Sequence, residues 1–489
     1  MPRSFPTTAT VIAVAMSCGF LVVVWLAIPW VGGDTPFVLD GSNALLTCLS
    51  NRDFDACGFT GKLNHWGLMT PIGYWPLLQH IPDVIAIKLG ATSHPDRTRL
   101  LAGLGVAGLV GSAALARLVL ARVGQAAWFW GFLFILLSSP FIAYGRQTVG
   151  ETFATGLLVC LVAATVLRAP PPVVALAAFA ACLTKETAYP FVAVLGVLGL
   201  VLARRRTCLA IRPQLVWGAA GIAASIVLAS LFNIVRFGSV LNTNYLHHDF
   251  RTPGVGRKLE YSVALLVSPS GGMFVFWLSA SVLLLAACLL PFLSRPRGKL
   301  DVGPAIVLIV VAAGLTLGLA SWWTPFGWTS YGGRLSLPWA LPLVLIALVA
   351  YGDSLAELAR PLLTPSWRLF ALFAVVLALT LPHVGEMWRP NASAPFFAQA
   401  QGCQAPWNGS VEAWHSCQHD LIWFARPMGV YALDGLDNLG GVVTSLAVAL
   451  GLFGCLVLLR DGLTETRSAP ARLASERLES RTERPAASV

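Results

Sequence analysis

Asp40 stands in Phe37-Val38-Leu39-Asp40-Gly41-Ser42, about ten residues beyond an apolar stretch at 9–30. A carboxylate so close to a membrane surface can take the proton of a hydroxyl as its oxygen attacks a reactive carbon. The competing reading is a turn aspartate, since Asp-Gly is a common turn pair. Glu151 follows Gly145-Arg146-Gln147 at the head of another apolar stretch. The helix dipole favours an acid there, and Arg146 can pair with it or hold a phosphate. Lys185-Glu186 interrupts a long apolar run. Ionisable groups near membrane depth usually have functional reasons, and a local ion pair is the alternative.

Two further segments suit an anion. Residues 233–272 hold Arg236, Tyr245, Arg257, Lys258 and the run Ser268-Pro269-Ser270-Gly271-Gly272. Arginine presents a planar fork of donors to phosphate, and glycine lets backbone N–H groups approach an anion. His247-His248-Asp249 has no third well-spaced donor set, so a hydrated interfacial cluster explains it better than a metal site. The segment from Trp322 to Arg334 joins five aromatics, Tyr331 among them, to an arginine. Aromatic faces suit sugar rings and Arg334 suits phosphate. An interfacial aromatic belt accounts for the tryptophans but not for Tyr331-Gly332-Gly333-Arg334.

The elements that position these residues are membrane helices. The chain has 489 residues, of which 56% are hydrophobic and 11% charged, and its mean hydropathy is +0.72. A soluble domain cannot hide that much apolar surface, so the fold class is an all-α polytopic membrane protein. Apolar runs give about twelve transmembrane helices, near 9–30, 99–121, 126–144, 151–168, 172–185, 187–203, 214–232, 271–293, 302–321, 336–352, 368–385 and 440–460. The net charge of +10 comes from arginines in short connecting turns, which is positive-inside bias and not a nucleic-acid surface. That bias puts both termini in the cytoplasm and the polar loops outside, in the plasma (inner) membrane. The first span is read as retained and not as a cleaved signal.

One membrane-embedded domain covers 1–460, with outer loops at 31–98, 233–270, 322–335 and 386–439. Residues 77–90 read as an interfacial helix within the long first loop. The tail 461–489 reads as disordered and cytoplasmic. Four cysteines fall in the outer loops as two close pairs, Cys48/Cys57 and Cys403/Cys417. Disulfides need an oxidising compartment, so such pairing agrees with the charge rule; four unpaired thiols are the alternative.

No Walker loop, dinucleotide fingerprint, His-Glu-x-x-His or Gly-x-Ser-x-Gly occurs. Activated sugars reach such a site on a lipid carrier. Asp40, Gly145-Arg146-Gln147 with Glu151, Lys185-Glu186-Thr187, Arg236-Phe237-Gly238-Ser239 with Asn244-Tyr245, Leu266 to Gly272, and Ser330 to Leu335 with Pro338 stand in one order on one side. This arrangement resembles the GT-C superfamily of polyprenyl-phosphate-sugar-dependent membrane glycosyltransferases, particularly its protein-mannosyltransferase-like branch.

The resemblance implies an inverting transfer from a polyprenyl-phosphate sugar donor to a glycan, lipid or protein acceptor among membrane lipids. It makes Asp40 the general base, with Glu151 as a fallback catalytic acid. Arg146, Lys185, Glu186, Arg236, Tyr245, Arg257, Tyr331 and Arg334 become the phosphate and substrate residues. Many members carry a second acid beside the aspartate; here Gly41 follows, with Asp53, Asp55 and Glu151 as the other acids. No cofactor is called for, and a divalent cation is left open. The competing functions are a lipid or polysaccharide transporter or flippase, and a non-catalytic scaffold of the same fold.

Overall fold

The computed structural model describes residues 35–52, 72–73, 75–91, 93–145, 150–184, 189–207, 211–242, 251–293, 301–327, 333–388, 410–423, 432–433 and 436–482, without the side chains of 35–37, 206–207 and 466–482. The expected span at 9–30 lies outside them. Among the described residues no strand forms; one isolated bridge joins Arg251 to Trp322. The protein is an all-α polytopic membrane protein.

In chain order the helices are α1 Thr35–Asn51, α2 Leu77–Lys88, α3 His94–Arg122, α4 Trp128–Leu137, α5 Phe141–Tyr144, α6 Gly150–Val166, α7 Pro171–Thr184, α8 Tyr189–Thr207 and α9 Arg212–Phe237. There follow α10 Val255–Val267, α11 Met273–Phe276, α12 Leu278–Leu293, α13 Gly303–Ala320, α14 Leu337–Leu363, α15 Ser366–Trp388, α16 Val411–Trp423 and α17 Leu439–Thr482.

Local chemistry sets several boundaries. Ser93 caps α3 by accepting the Asp96 N–H at 3.2 Å, with Pro95 in the first turn, where no N–H is missed. Gly238, with φ 65°, ends α9 in the left-handed cap that glycine adopts without strain. The apolar run 126–144, expected as one span, is two helices. Pro140 cannot continue the ladder, and Ser138 turns its hydroxyl to Ser279 at 2.6 Å. The run 271–293 likewise breaks at Trp277, which is fully buried and meets Phe141 edge-on at 5.3 Å.

Among the described residues six helical segments are long and apolar enough to cross a membrane: His94–Arg122, Arg212–Phe237, Gly303–Ala320, Arg334–Leu363, Ser366–Trp388 and Leu439–Glu465. The shorter apolar helices α4, α6, α7 and α12 occupy other expected spans. The 17 residues of α6 rise about 26 Å, close to the hydrocarbon thickness. Burial ranks the long segments. The apolar stretch of α14 is 89% buried against 22% for α9, so α14 is the centre of the bundle and α9 lies at its periphery.

The interhelical bonds sort the loops into two ends. At one, Arg205 pairs with Asp301, Gln125 bonds Asp353 at 2.7 Å, and Arg360 bonds the Leu463 carbonyl at 2.9 Å. The other end gathers α1, α2, the heads of α3 and α6, and the tail of α9. The last helix does not stop near 460. It is helical through Thr482, because Ala, Leu, Glu and Arg in 471–481 are strong helix formers. Residues 483–489 lie outside the described set.

Candidate active site

Asp40 and Gly41 are both within helix α1 and do not form a turn. Asp40 is exposed, and among the described residues no side chain pairs with it. Gly41 faces inward. A Cβ there would lie 2.4 Å from the Ile72 carbonyl oxygen and 2.8 Å from His80 Cε1. No side chain fits, which explains why a second acid cannot follow Asp40.

One residue further on, the Ser42 hydroxyl donates to the Val38 carbonyl at 2.7 Å and lies 3.2 Å from His80 Nδ1. Burial first, and then the Arg236 charge, push the His80 imidazole down to about 3, so the ring under α1 is neutral. Cys48, near the other end of α1, is 1% exposed and disulfide-bonded.

Two buried charges support the same turn. Arg97 at the head of α3 donates from Nε to Asp83 Oδ1 at 2.8 Å and from Nη2 to Oδ2 at 2.5 Å. Its Nη2 also donates to the Leu39 carbonyl at 2.9 Å, one residue before Asp40. Arg97 is 3% exposed and Asp83 is fully buried. Sequence reasoning missed both, singling out neither residue and reading 77–90 only as an interfacial helix. The available signal was the spacing of His80 and Asp83, three apart on one helix face among apolar neighbours.

Arg236 is expected to face a phosphate. Instead it is fully enclosed: its guanidinium donates to Asn233 Oδ1 at 2.7 Å and to the Trp75 carbonyl at 2.6 Å. It also stacks on the Phe232 and Phe237 rings, 4.5 Å from each centroid. Its geometry is that of a brace tying the end of α9 to residues 73–75.

Glu151 and Arg334 come together. Arg334 Nε lies 3.6 Å from Glu151 Oε1, and each residue is 6% exposed. Thr155, one turn on in α6, donates to the Leu337 carbonyl at 3.1 Å and so fixes the head of α14 beside it. Gly333 has φ +68°, and a Cβ there would lie 2.7 Å from the Gly271 carbonyl oxygen. Thus the Ser268–Gly272 and Gly333–Arg334 motifs touch, and only glycine permits both the conformation and the approach. The Asp40 helix reaches this pair through α2: Gln79 packs on Gly150 and donates weakly to the Thr184 carbonyl at 3.5 Å, one residue before Lys185. Val38 and Gly150 line one small cavity.

A cap of α10, residues 321–327 and α16 adjoins this region. Tyr261 and His415 share a hydrogen bond of 2.7 Å, the Ser268 hydroxyl meets the Ile422 carbonyl at 2.5 Å, and Trp323 lies 5.0 Å from Trp414. Glu260 pairs with His419 and, at 2.7 Å, with Arg257, which stays partly exposed. Cys417 in α16 is disulfide-bonded.

Burial first, then the Arg257 charge, push the His415 imidazole down from 6.5 to about 4. A histidine lowered on folding stabilises fully above its ordinary value and loses that contribution as pH falls through the lowered one. The protection of the α16 amides, taken relative to their intrinsic exchange rate at each pH, is therefore expected to be high at pH 7 and to fall between pH 6.5 and about 4. Constant protection over that window would show that His415 does not hold the cap.

Arg146, Lys185, Glu186, Tyr245, Tyr331, Cys57 and Cys403 lie outside the described residues, as do Asp53 and Asp55. Among the described residues no group of three His, Cys, Asp or Glu side chains stands where it can hold a metal ion; His247, His248 and Asp249 lie outside them.

No family model and no curated protein matches the chain. Among solved structures it is similar to the crystal structure of ArnT from Cupriavidus metallidurans bound to undecaprenyl phosphate, at 14% identity and a TM-score of 0.44, over 95% of this chain and 80% of that one. It is similar also to the apo state of ArnT from the same organism, at 17% identity and a TM-score of 0.44, over 93% and 78%. A likeness at this level says nothing about chemistry, which rests on the residues above.

Proposed function

We propose that this chain is a GT-C-type membrane glycosyltransferase that moves a sugar from a polyprenyl-phosphate donor to a hydroxyl acceptor with inversion. The observation that carries the reading is an exposed carboxylate, Asp40, on a helix whose backbone is tied down, at the same bundle end as Glu151 and Arg334. An open acid over a rigid frame suits proton abstraction, which needs contact with the acceptor and fixed geometry.

In the proposed reaction the Asp40 carboxylate takes the acceptor hydroxyl proton. The oxygen bonds to the anomeric carbon on the face opposite the phosphate, and the bond to phosphate breaks with its electron pair on the departing oxygen. Arg334, Arg257 and Lys185 are the cations assigned to that charge. A phosphate leaves without a general acid when cations stabilise it. Glu151 holds Arg334 in orientation, while Arg236 serves as the brace. The side facing the reaction is the one the arginine distribution assigns outside, and the acceptor is a glycan, lipid or protein hydroxyl at the membrane.

The test is turnover in liposomes. Purified protein supplied with labelled polyprenyl-phosphate sugar and envelope extract is expected to release polyprenyl phosphate and to transfer the label with inverted configuration. Transbilayer movement of intact donor without transfer would identify a flippase instead.

A further inference from the structure

The Arg97–Asp83 pair is oddly placed for a stabilising device. Removing both ions from water costs several kcal/mol each, and a buried pair often does no better than apolar residues of the same volume. Arg97 is 3% exposed and Asp83 fully buried, so this cost is incurred in full. The pair is nevertheless bidentate, and the second N–H of Nη2 is aimed at the Leu39 carbonyl at 2.9 Å. Leu39 is itself fully buried, whereas its neighbour Asp40 is exposed.

We infer that Arg97, oriented by Asp83, is a positioning residue for Asp40, fixing the peptide plane between Leu39 and Asp40 and thereby the direction in which the carboxylate projects. This rests on the reading of Asp40 as the base. The same turn is clamped from its other sides: Gly41 abuts the Ile72 carbonyl, and Ser42 reaches His80. Leu39, Gly41 and Ser42 are thus held, each by a different partner, while the side chain of Asp40 between them stays open. Asp83 prevents Arg97 from swinging out, because its two oxygens fill the Nε and Nη2 edge of the guanidinium. Lysine cannot reproduce this geometry, having a single nitrogen in place of the fork.

The experiment compares Arg97→Lys, Asp83→Asn and Asp40→Asn in the liposome transfer assay, with thermal midpoints measured on the same samples. Arg97→Lys keeps the positive charge beside Asp83 and loses the fork. It is expected to lower kcat by about 10- to 100-fold, the scale set by misplacing a reacting group by about 1 Å, with KM for the lipid donor unchanged. Asp83→Asn is expected to lower kcat in the same sense, and it carries the test should Arg97→Lys fail to fold. A folded variant of either kind with wild-type kcat overturns the inference, provided Asp40→Asn is inactive. An active Asp40→Asn overturns the reading of Asp40 itself. A loss that scales only with the folded fraction assigns the pair to stability and likewise overturns the inference.

Discussion

Asp40→Asn is expected to lower sugar transfer by about 10²- to 10⁴-fold, the range contributed by a positioned general base. The substitution is nearly isosteric and removes only the ability to accept a proton. Because Asp40 is exposed and no described side chain pairs with it, the change should leave the thermal midpoint and the membrane yield as they are. This separation of activity from stability makes the variant decisive. Donor binding should persist too, since Arg334 and Arg257 are untouched. Transfer at the wild-type rate would remove Asp40 from the chemistry and turn attention to Glu151. Loss of activity with a collapsed midpoint would make Asp40 a structural residue.

The second large effect belongs to Glu151 and Arg334. Glu151→Ala strips the carboxylate from a guanidinium that is 6% exposed, and breaking a buried pair in this way costs about 3–5 kcal/mol. The expected result is a clear fall in thermal midpoint in detergent together with loss of transfer. Replacing both residues by apolar ones of similar volume, as in Glu151→Leu with Arg334→Met, should restore much of the stability and none of the activity. Recovery of transfer in the double variant would show that neither charge meets substrate. An unchanged midpoint in Glu151→Ala would show that the pair, at 3.6 Å, contributes nothing to the fold.

Much of the frame was legible because membrane helices announce themselves by length and hydropathy. The segments at 99–121, 214–232, 302–321 and 368–385 reappear as α3, α9, α13 and α15 with ends shifted by a few residues. The broken spans were not legible. Pro140 and Trp277 interrupt runs that remain apolar throughout, so hydropathy does not register the break. The site was legible in part. Glu151 and Arg334 lie 183 positions apart, and each could be singled out as a charge beside an apolar stretch. Their meeting depends on how α6 and α14 pack, and no local pattern encodes that. Arg236 is the opposite case: Arg236-Phe237-Gly238 reads as an anion site, whereas the guanidinium donates to Asn233 and to the Trp75 carbonyl. Gly41 is clearest of all. Its meaning lies in a carbonyl 31 residues away, at Ile72.

The central helix α14 is fastened at both ends. Near Arg334 it is held by Glu151 and by the Thr155 bond to Leu337. Past its middle Tyr351 bonds the Asp301 carbonyl at 2.7 Å, Trp128 bonds the Gly352 carbonyl at 2.8 Å and Gln125 bonds Asp353, and near its other end Arg360 bonds the Leu463 carbonyl. A rod bolted at both ends cannot slide as a piston or tilt as a rocker without shearing one set of fastenings. Alternating-access transporters work by such tilting about a midplane site. In this fold the two sets of fastenings make α14 a fixed post, and a seesaw motion would have to break one of them.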